Sequence, residues 1–358
     1  MNRIIFGGGF DPVHLGHINM ALAAKQALKG EIIFVPAKVA VWKEESISQE
    51  HKLNMLRLAI AKYDGFSIDT YELDQKEQPR SYQTVRYFKN KYPKDKLYFL
   101  IGQDQVNAFH EWANPDEIAE NTQIVYYKRP KYVANQTNVD KFKMMALEGP
   151  EIDVSSSDIR SLKSLAISEE VLKYIEDNSL YFIAKVKPFI DEKRFNHSLS
   201  VAHLALRTAK IHQLDYQKAY IAGLLHDIAK GIDRNERLVL MKEYYPDYLD
   251  IGTFAYHQFL GEMIAKRDFD IQDQDILNAI KYHATGRKDM SWLEKLIYAS
   301  DKIDPLRGYD STSLIKAIEE DLNSGFVTIL KANYEYLKIS HLSIDNRLSN
   351  DCFQSYLN

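Results

Sequence analysis

The chain has 358 residues, 45% apolar and 27% charged, which is enough for two domains of ordinary size, each with a buried core. That balance excludes a mainly disordered chain; no apolar run approaches the length of a membrane span, and Gly7 comes too early for a signal-peptide core. A net charge of −4 argues against a general nucleic-acid binder, and one cysteine, Cys352, leaves no disulfide framework or Cys-based zinc cluster. A cytoplasmic protein with neither nucleic-acid nor membrane partners is expected.

The first half alternates strand and helix signals. Strands are predicted at residues 3–6, 32–35, 66–71, 97–101 and 124–127; the first, second and fourth are short apolar runs stopped by Gly7, Pro36 and Gly102. Helices are predicted at residues 18–28, 51–61 and 81–91, where apolar positions recur at helical spacing. Such alternation argues for a parallel sheet wrapped by helices. After about residue 159 the strand signals fade. Residues 169–176, 193–212, 216–229, 258–266, 274–282, 292–300 and 313–336 all carry helical spacing. The expected fold class is α/β plus all-α: a Rossmann-like parallel-sheet domain over residues 1–181, then an all-helical domain over 182–358, joined near residues 177–181. The acidic run Glu319-Glu320-Asp321 reads as a solvated helix face.

The sharpest local signal is Gly7-Gly8-Gly9-Phe10-Asp11-Pro12-Val13-His14-Leu15-Gly16-His17, directly after a strand and opening a helix. Glycines let a backbone approach a ligand closely, and free N–H groups at a helix start attract phosphate. His14 and His17 stand three apart, so on a first helical turn both rings point the same way. Paired imidazoles beside a phosphate site can donate to charge that develops on phosphoryl oxygens. A dinucleotide-binding fingerprint would need a third glycine where Pro12 stands, and no Walker A pattern is present.

This segment resembles the GG(T/S)FDPxHxGH signature of bacterial nicotinate-nucleotide adenylyltransferases, with Gly9 where Thr or Ser is usual. The likeness covers residues 1–181 and includes Ser81-Tyr82-Gln83-Thr84-Val85, Ile101-Gly102-Gln103-Asp104 and Val154-Ser155-Ser156-Ser157-Asp158-Ile159-Arg160. It implies adenylyl transfer: the phosphate of nicotinate mononucleotide attacks the α-phosphorus of ATP and pyrophosphate leaves, with Mg²⁺ on the phosphates. In that reading His14, His17 and Lys43 act on the reacting phosphates. Gly8, Gly9, Phe10 and Asp104 line the nucleotide, Trp112 meets the nicotinate ring, and Ser156 and Arg160 hold phosphates from the far helix start. Ala40-Val41-Trp42-Lys43 stands where the family has Pro-Pro-His-Lys. Transfer to another acceptor, such as a phosphopantetheine or a flavin, is the alternative.

In the helical half, His197, His226, Asp227 and Asp301 form an ordered set. Two imidazoles and two carboxylates suit a divalent transition ion such as iron or manganese, which can activate water as a nucleophile. An Asp can bridge two ions, and His257 and His283 could ligate a second. The pattern resembles the HD phosphohydrolase superfamily. Residues 192–198, 222–230, 282–287 and 299–307 further resemble bacterial HD hydrolases that split diadenosine tetraphosphate symmetrically into two ADP. The likeness implies iron, or alternatively manganese, on His197, His226, Asp227 and Asp301, with Asp227 and Lys230 in the chemistry. It puts His257, His283, Arg287 and Arg307 at the polyphosphate. A nucleotide sensor without hydrolysis is the alternative for this half.

Overall fold

The computed structural model describes residues 1–38, 47–128, 133–150, 153–340 and 346–357. The chain divides into two units, Met1–Leu180 and Tyr181–Asn358. The first is a Rossmann-like α/β unit, and every regular element among the described residues of the second is helical. No helix among the described residues is long and apolar enough to cross a membrane.

The first unit is built on a six-stranded parallel sheet. Its strands are β1 (Asn2–Gly8), β2 (Glu31–Pro36), β3 (Phe66–Ile68), β4 (Lys96–Gly102), β5 (Gln123–Tyr127) and β6 (Met145–Leu147), in the order β3-β2-β1-β4-β5-β6. The central strands read as continuous apolar runs because both faces are covered: Ile4, Ile5, Ile32, Phe34 and Val35 are all inaccessible to solvent. One core cluster gathers Ile5, Ile33, Phe99, Ile101, Ile124 and Tyr126 beneath helices. The strand order reverses between β1 and β4, and ligands of such sheets bind in the crevice beyond the strand ends at that switch. The glycine-rich signature leaves β1 there, and Gly102-Gln103-Asp104 leaves β4.

Two strand readings change. The run expected at 66–71 stops at Ile68, because Tyr71 opens a short helical turn whose amide donates to Asp69 at 3.0 Å. Strand β6 gave no sequence signal; it has three residues and only its last is buried.

The helices that carry the chemistry are α1 (Leu15–Leu28), α2 (Ser81–Lys91) and α3 (Ser156–Arg160) in the first unit. In the second they are α4 (Glu192–Ile211), α5 (Tyr216–Leu225), α6 (Tyr256–Asp268), α7 (Gln274–Tyr282) and α8 (Trp292–Lys302), with α9 (Thr312–Glu320) and α10 (Leu322–Ile339) after them. The helix expected at 216–229 ends at Leu225, and Ile228–Gly231 continues as a 3₁₀ turn. The helix expected at 313–336 is two helices. Asp321 leaves helical geometry and its carboxylate accepts the Ser324 amide at 2.7 Å, so the end of the acidic run, exposed as expected, also caps the next helix. Two contacts by glycine set the packing. A Cβ on Gly223 would lie 2.7 Å from Cα of Ala202, so α4 and α5 cross with backbones almost touching. A Cβ on Gly325 would lie 2.4 Å from Cα of Ile318, which closes the corner between α9 and α10.

Candidate active sites

The signature loop turns tightly between β1 and α1. Phe10 adopts a left-handed backbone at φ 44°, and its ring is buried against Phe6 and Phe34, each 5.5 Å away. The Phe10 ring therefore belongs to the core, which leaves the main chain of Phe10 to meet a ligand. The rings of His14 and His17 come together as the spacing implied, stacked with centroids 3.7 Å apart. Their placement is unequal. His17 lines a cavity of about 360 Å³ at the switch point, whereas His14 is buried behind it. The reason is local: His14 is the residue before the first turn of α1, and its amide donates to Nδ1 of His17 at 3.3 Å. With Nδ1 accepting, the neutral His17 ring carries its proton on Nε2.

The same cavity is lined by Gly8, Asp104 and Trp112, with Ser81 and Thr84 from the start of α2. Gly9 is not part of that lining, and a Cβ built on it meets nothing within 4 Å. Trp112 also packs on Phe109 at 5.0 Å and stands edge-on to Phe99 at 6.2 Å. Glu72, which no motif in the sequence marks, is a buried wall residue. Thr84 donates to it at 2.7 Å and Gln78 at 2.6 Å, and burial raises its carboxyl above the ordinary glutamate value.

Far along the chain, Ser155 caps α3 reciprocally with Asp158, and this helix packs on the signature loop. Ser156 Oγ donates to the Pro12 carbonyl at 3.0 Å and Arg160 Nη1 to the Asp11 carbonyl at 2.7 Å. Both are thus brought to the loop, with part of the Arg160 donor set spent on holding it. Lys43 and its neighbours Ala40, Val41 and Trp42 lie outside the described residues.

In the second unit, α4 brings His197, the end of α5 brings His226 and Asp227, α6 brings His257, the end of α7 brings His283, and α8 brings Asp301. All six are buried. Asp227 lies between two groups. Its Oδ2 is 3.9 Å from His197 Nε2 and 3.6 Å from His226 Nε2. Its Oδ1 is 3.3 Å from both His257 Nε2 and His283 Nε2. Asp301 Oδ1 closes the first group at 3.2 Å from His197 Nε2 and 3.7 Å from His226 Nε2. His257 and His283, expected at the polyphosphate, thus join Asp227 as a second candidate cation group, with their Nε2 atoms 3.1 Å apart.

The donor chemistry fits divalent cations. His226, His257 and His283 each hydrogen-bond through Nδ1 to a carbonyl, of Gly223 at 2.7 Å, Phe254 at 2.9 Å and Ile280 at 2.7 Å. Nδ1 is then the protonated nitrogen and Nε2 presents a lone pair, the form a metal ligand needs. Nε2 of His226 is buried and has no hydrogen-bond partner. Burial pulls His257 below the ordinary imidazole value and His283 down to about 3, which favours the neutral ring in both. Burial would raise the Asp301 carboxyl, but Lys302 and the His197 hydrogen bond outweigh it and hold it well below the usual carboxylate range.

Cations ring the centre. Arg194 donates to Asp227 Oδ2 at 2.6 Å, Lys302 to Asp301 Oδ2 at 2.7 Å, and Arg307 to the Asp301 carboxylate and carbonyl. Lys230 comes after Asp227 on the 3₁₀ turn, and burial lowers its ammonium pKa. Arg287 stands apart from its expected role. Its guanidinium forks onto the buried Glu294, at 2.5 and 2.9 Å, and lies 4.9 Å from the Tyr282 ring centre. It is committed to the start of α8, where Glu294 also caps with Ser291. Arg194 and Lys302 belong to no expected set, although Arg194 stands three residues before His197 and Lys302 next to Asp301.

Comparison with known proteins agrees with the two-unit architecture. Residues 5–162 match the Cytidylyltransferase-like family and residues 194–306 the HD domain family. A Mycoplasma genitalium protein named "Probable nicotinate-nucleotide adenylyltransferase/Ap4A hydrolase" is 31% identical over 92% of this chain and 96% of its own. The first unit is similar to a Bacillus subtilis nicotinate-nucleotide adenylyltransferase, 34% identical over 49% of this chain and 96% of that protein. The second is similar to a symmetrical bis(5'-nucleosyl)-tetraphosphatase of Halalkalibacterium halodurans, 35% identical over 42% of this chain and 83% of that protein.

Proposed function

This chain belongs to the family of two-domain nicotinate-nucleotide adenylyltransferase/Ap4A hydrolases, and from that premise we propose that it carries both activities, one in each unit. The first unit joins ATP and nicotinate mononucleotide into nicotinate adenine dinucleotide and releases pyrophosphate, with Mg²⁺ accompanying ATP. The second splits diadenosine tetraphosphate into two ADP, in the cytoplasm.

In the transferase no covalent intermediate is needed, so catalysis consists of positioning and charge stabilisation. His17, its Nε2–H directed by the bond to Nδ1, donates to the phosphoryl oxygens as charge develops, and His14 supports its ring from behind. Main-chain amides at Gly8, Gly9 and Phe10 approach the phosphates; Ser156, Arg160 and Lys43 complete the anion site. Asp104 and Trp112 orient the nucleotide and the pyridine ring within the cavity.

For the hydrolase, the observation that carries the reading is the convergence of four imidazole Nε2 atoms on Asp227 and Asp301. His197, His226, Asp227 and Asp301 would hold one ion, and His257 and His283 with the other oxygen of Asp227 a second. We assign iron, alternatively manganese, to these positions. A bound divalent ion supplies Lewis-acid activation of water and of the phosphoryl group. Arg307, Arg194 and Lys230 lie where their charge can meet a polyphosphate chain, and a buried lysine with a lowered pKa can also pass a proton to a departing ADP. Arg287 orders α8 and contributes only through groups not used on Glu294.

The test is direct. The purified protein is incubated with ATP plus nicotinate mononucleotide, and separately with diadenosine tetraphosphate, and products are identified by chromatography beside elemental analysis. Dinucleotide and pyrophosphate from the first and ADP alone from the second are expected. A preference for another acceptor removes the first assignment, and nucleotide binding without turnover removes the second.

A further inference from the structure

Three of the four histidines around Asp227 fix their rings through the main chain, and one does not. His226, His257 and His283 each use the carbonyl three residues earlier. His197 lies within the second turn of α4, and its Nδ1 meets Oδ2 of Asp304 at 2.5 Å. Asp304 is wholly buried. Its other oxygen accepts from Ser200 Oγ at 2.5 Å and from the Leu306 amide at 3.2 Å. One carboxylate therefore ties a ring on α4 to the turn that carries Arg307.

We propose that Asp304 is a positioning residue of the hydrolytic site: it keeps the proton of His197 on Nδ1, so that Nε2 faces Asp301 as a lone pair, and it locks that ring to the Arg307 turn. The proposal rests on His197 being a metal ligand. A carboxylate is an acceptor only, so it admits one tautomer of its imidazole partner. A carbonyl does the same for the other three rings, whereas Nδ1 of His197 meets the Asp304 carboxylate. Carboxylates placed this way also raise the basicity of the ligand nitrogen.

Asp304→Asn keeps the shape and can keep an oxygen toward Ser200 and Leu306. Its amide then turns an N–H toward His197, which moves the ring proton to Nε2 and blocks the lone pair. Metal-free full-length protein is titrated with Mn²⁺ by calorimetry. The variant is expected to bind one Mn²⁺ about 10- to 100-fold more weakly than the parent, with hydrolysis recovering at excess Mn²⁺ and adenylyl transfer unchanged. Long-range ¹H–¹⁵N spectra of the neutral ring are expected to show the proton on Nδ1 in the parent and on Nε2 in the variant. Asp304→Glu should regain part of the affinity. Ser200→Ala, which removes one donor and no charge, should weaken binding less, and it carries the test should Asp304→Asn fail to fold. Unchanged Mn²⁺ affinity in the variants, or an Nε2 proton in the parent, overturns the role of Asp304 alone. A parent that binds no Mn²⁺ or iron removes the ligand reading on which it rests.

Discussion

The imidazoles of His14 and His17 lie 3.7 Å apart, and the amide of the first donates to Nδ1 of the second. Each residue fixes the other, but only His17 reaches the cavity. His17→Ala should cut the rate of pyrophosphate release about 100- to 1000-fold, the usual effect of losing one donor to a developing oxyanion. Stopped assays at saturating substrate measure it, and a full rate would remove His17 from the mechanism. His14→Ala should cost less, since the ring it removes is a support.

Asp227 is shared by both cation groups of the second unit, so Asp227→Ala should abolish hydrolysis and lower bound metal together. Elemental analysis of the variant decides the matter; iron content equal to the parent would refute the ligand assignment.

Chelation should separate the two activities. After treatment with a chelator and its removal, Mg²⁺ alone should restore adenylyl transfer, whereas hydrolysis should return only with Fe²⁺ or Mn²⁺. Hydrolysis at full rate in Mg²⁺ without either ion would count against the transition-metal assignment.

Gly223→Ala tests the crossing that brings His197 and His226 together. The new methyl would press on the backbone of Ala202, and overpacking of that kind costs about 1–3 kcal/mol. A lowered melting temperature with weakened hydrolysis is expected; an unchanged melting curve would show that the helices part freely.

Acid stability has a signature in the first unit. Asp95 accepts from Arg3 at 2.6 Å and from the terminal amine at 3.0 Å, and those bonds depress its carboxyl below the ordinary aspartate value of 3.8. A depressed acid contributes stability that is complete above the unfolded value and is lost as pH falls through the folded one. The parent should therefore be more stable than Asp95→Asn at neutral pH, and their melting curves should converge below pH 3.8. A difference that persists at the acid end would assign the effect to packing.

Much of this was legible in the residues. A signature at a strand-to-helix junction and the adjacent His226-Asp227 each carry chemistry through local spacing, and both lie where such spacing puts them. The features that stayed hidden depend on partners distant in the chain. No local motif shows that Phe6 and Phe34 enclose the Phe10 ring, or that Glu294 takes the fork of Arg287. The placing of His257 and His283 likewise depends on a residue distant in the chain, Asp227, which lies 3.3 Å from each. The break at Asp321 was masked because helical spacing runs on through it; the corner is set by Gly325 against Ile318.

Every candidate ligand in the second unit lies within two turns of a helix end: His226 and His283 cap their helices, His257 is second in its own, and Asp301 is last but one. Helix length, more than loop shape, therefore encodes the geometry. Inserting or deleting one residue inside any of these helices rotates the rest of that helix by about 100°, which would swing a ligand out of reach, while substitutions on outward faces leave it alone. Redesign of this scaffold can accordingly exchange surface sequence freely, provided the residue count between each crossing point and its terminal ligand is conserved.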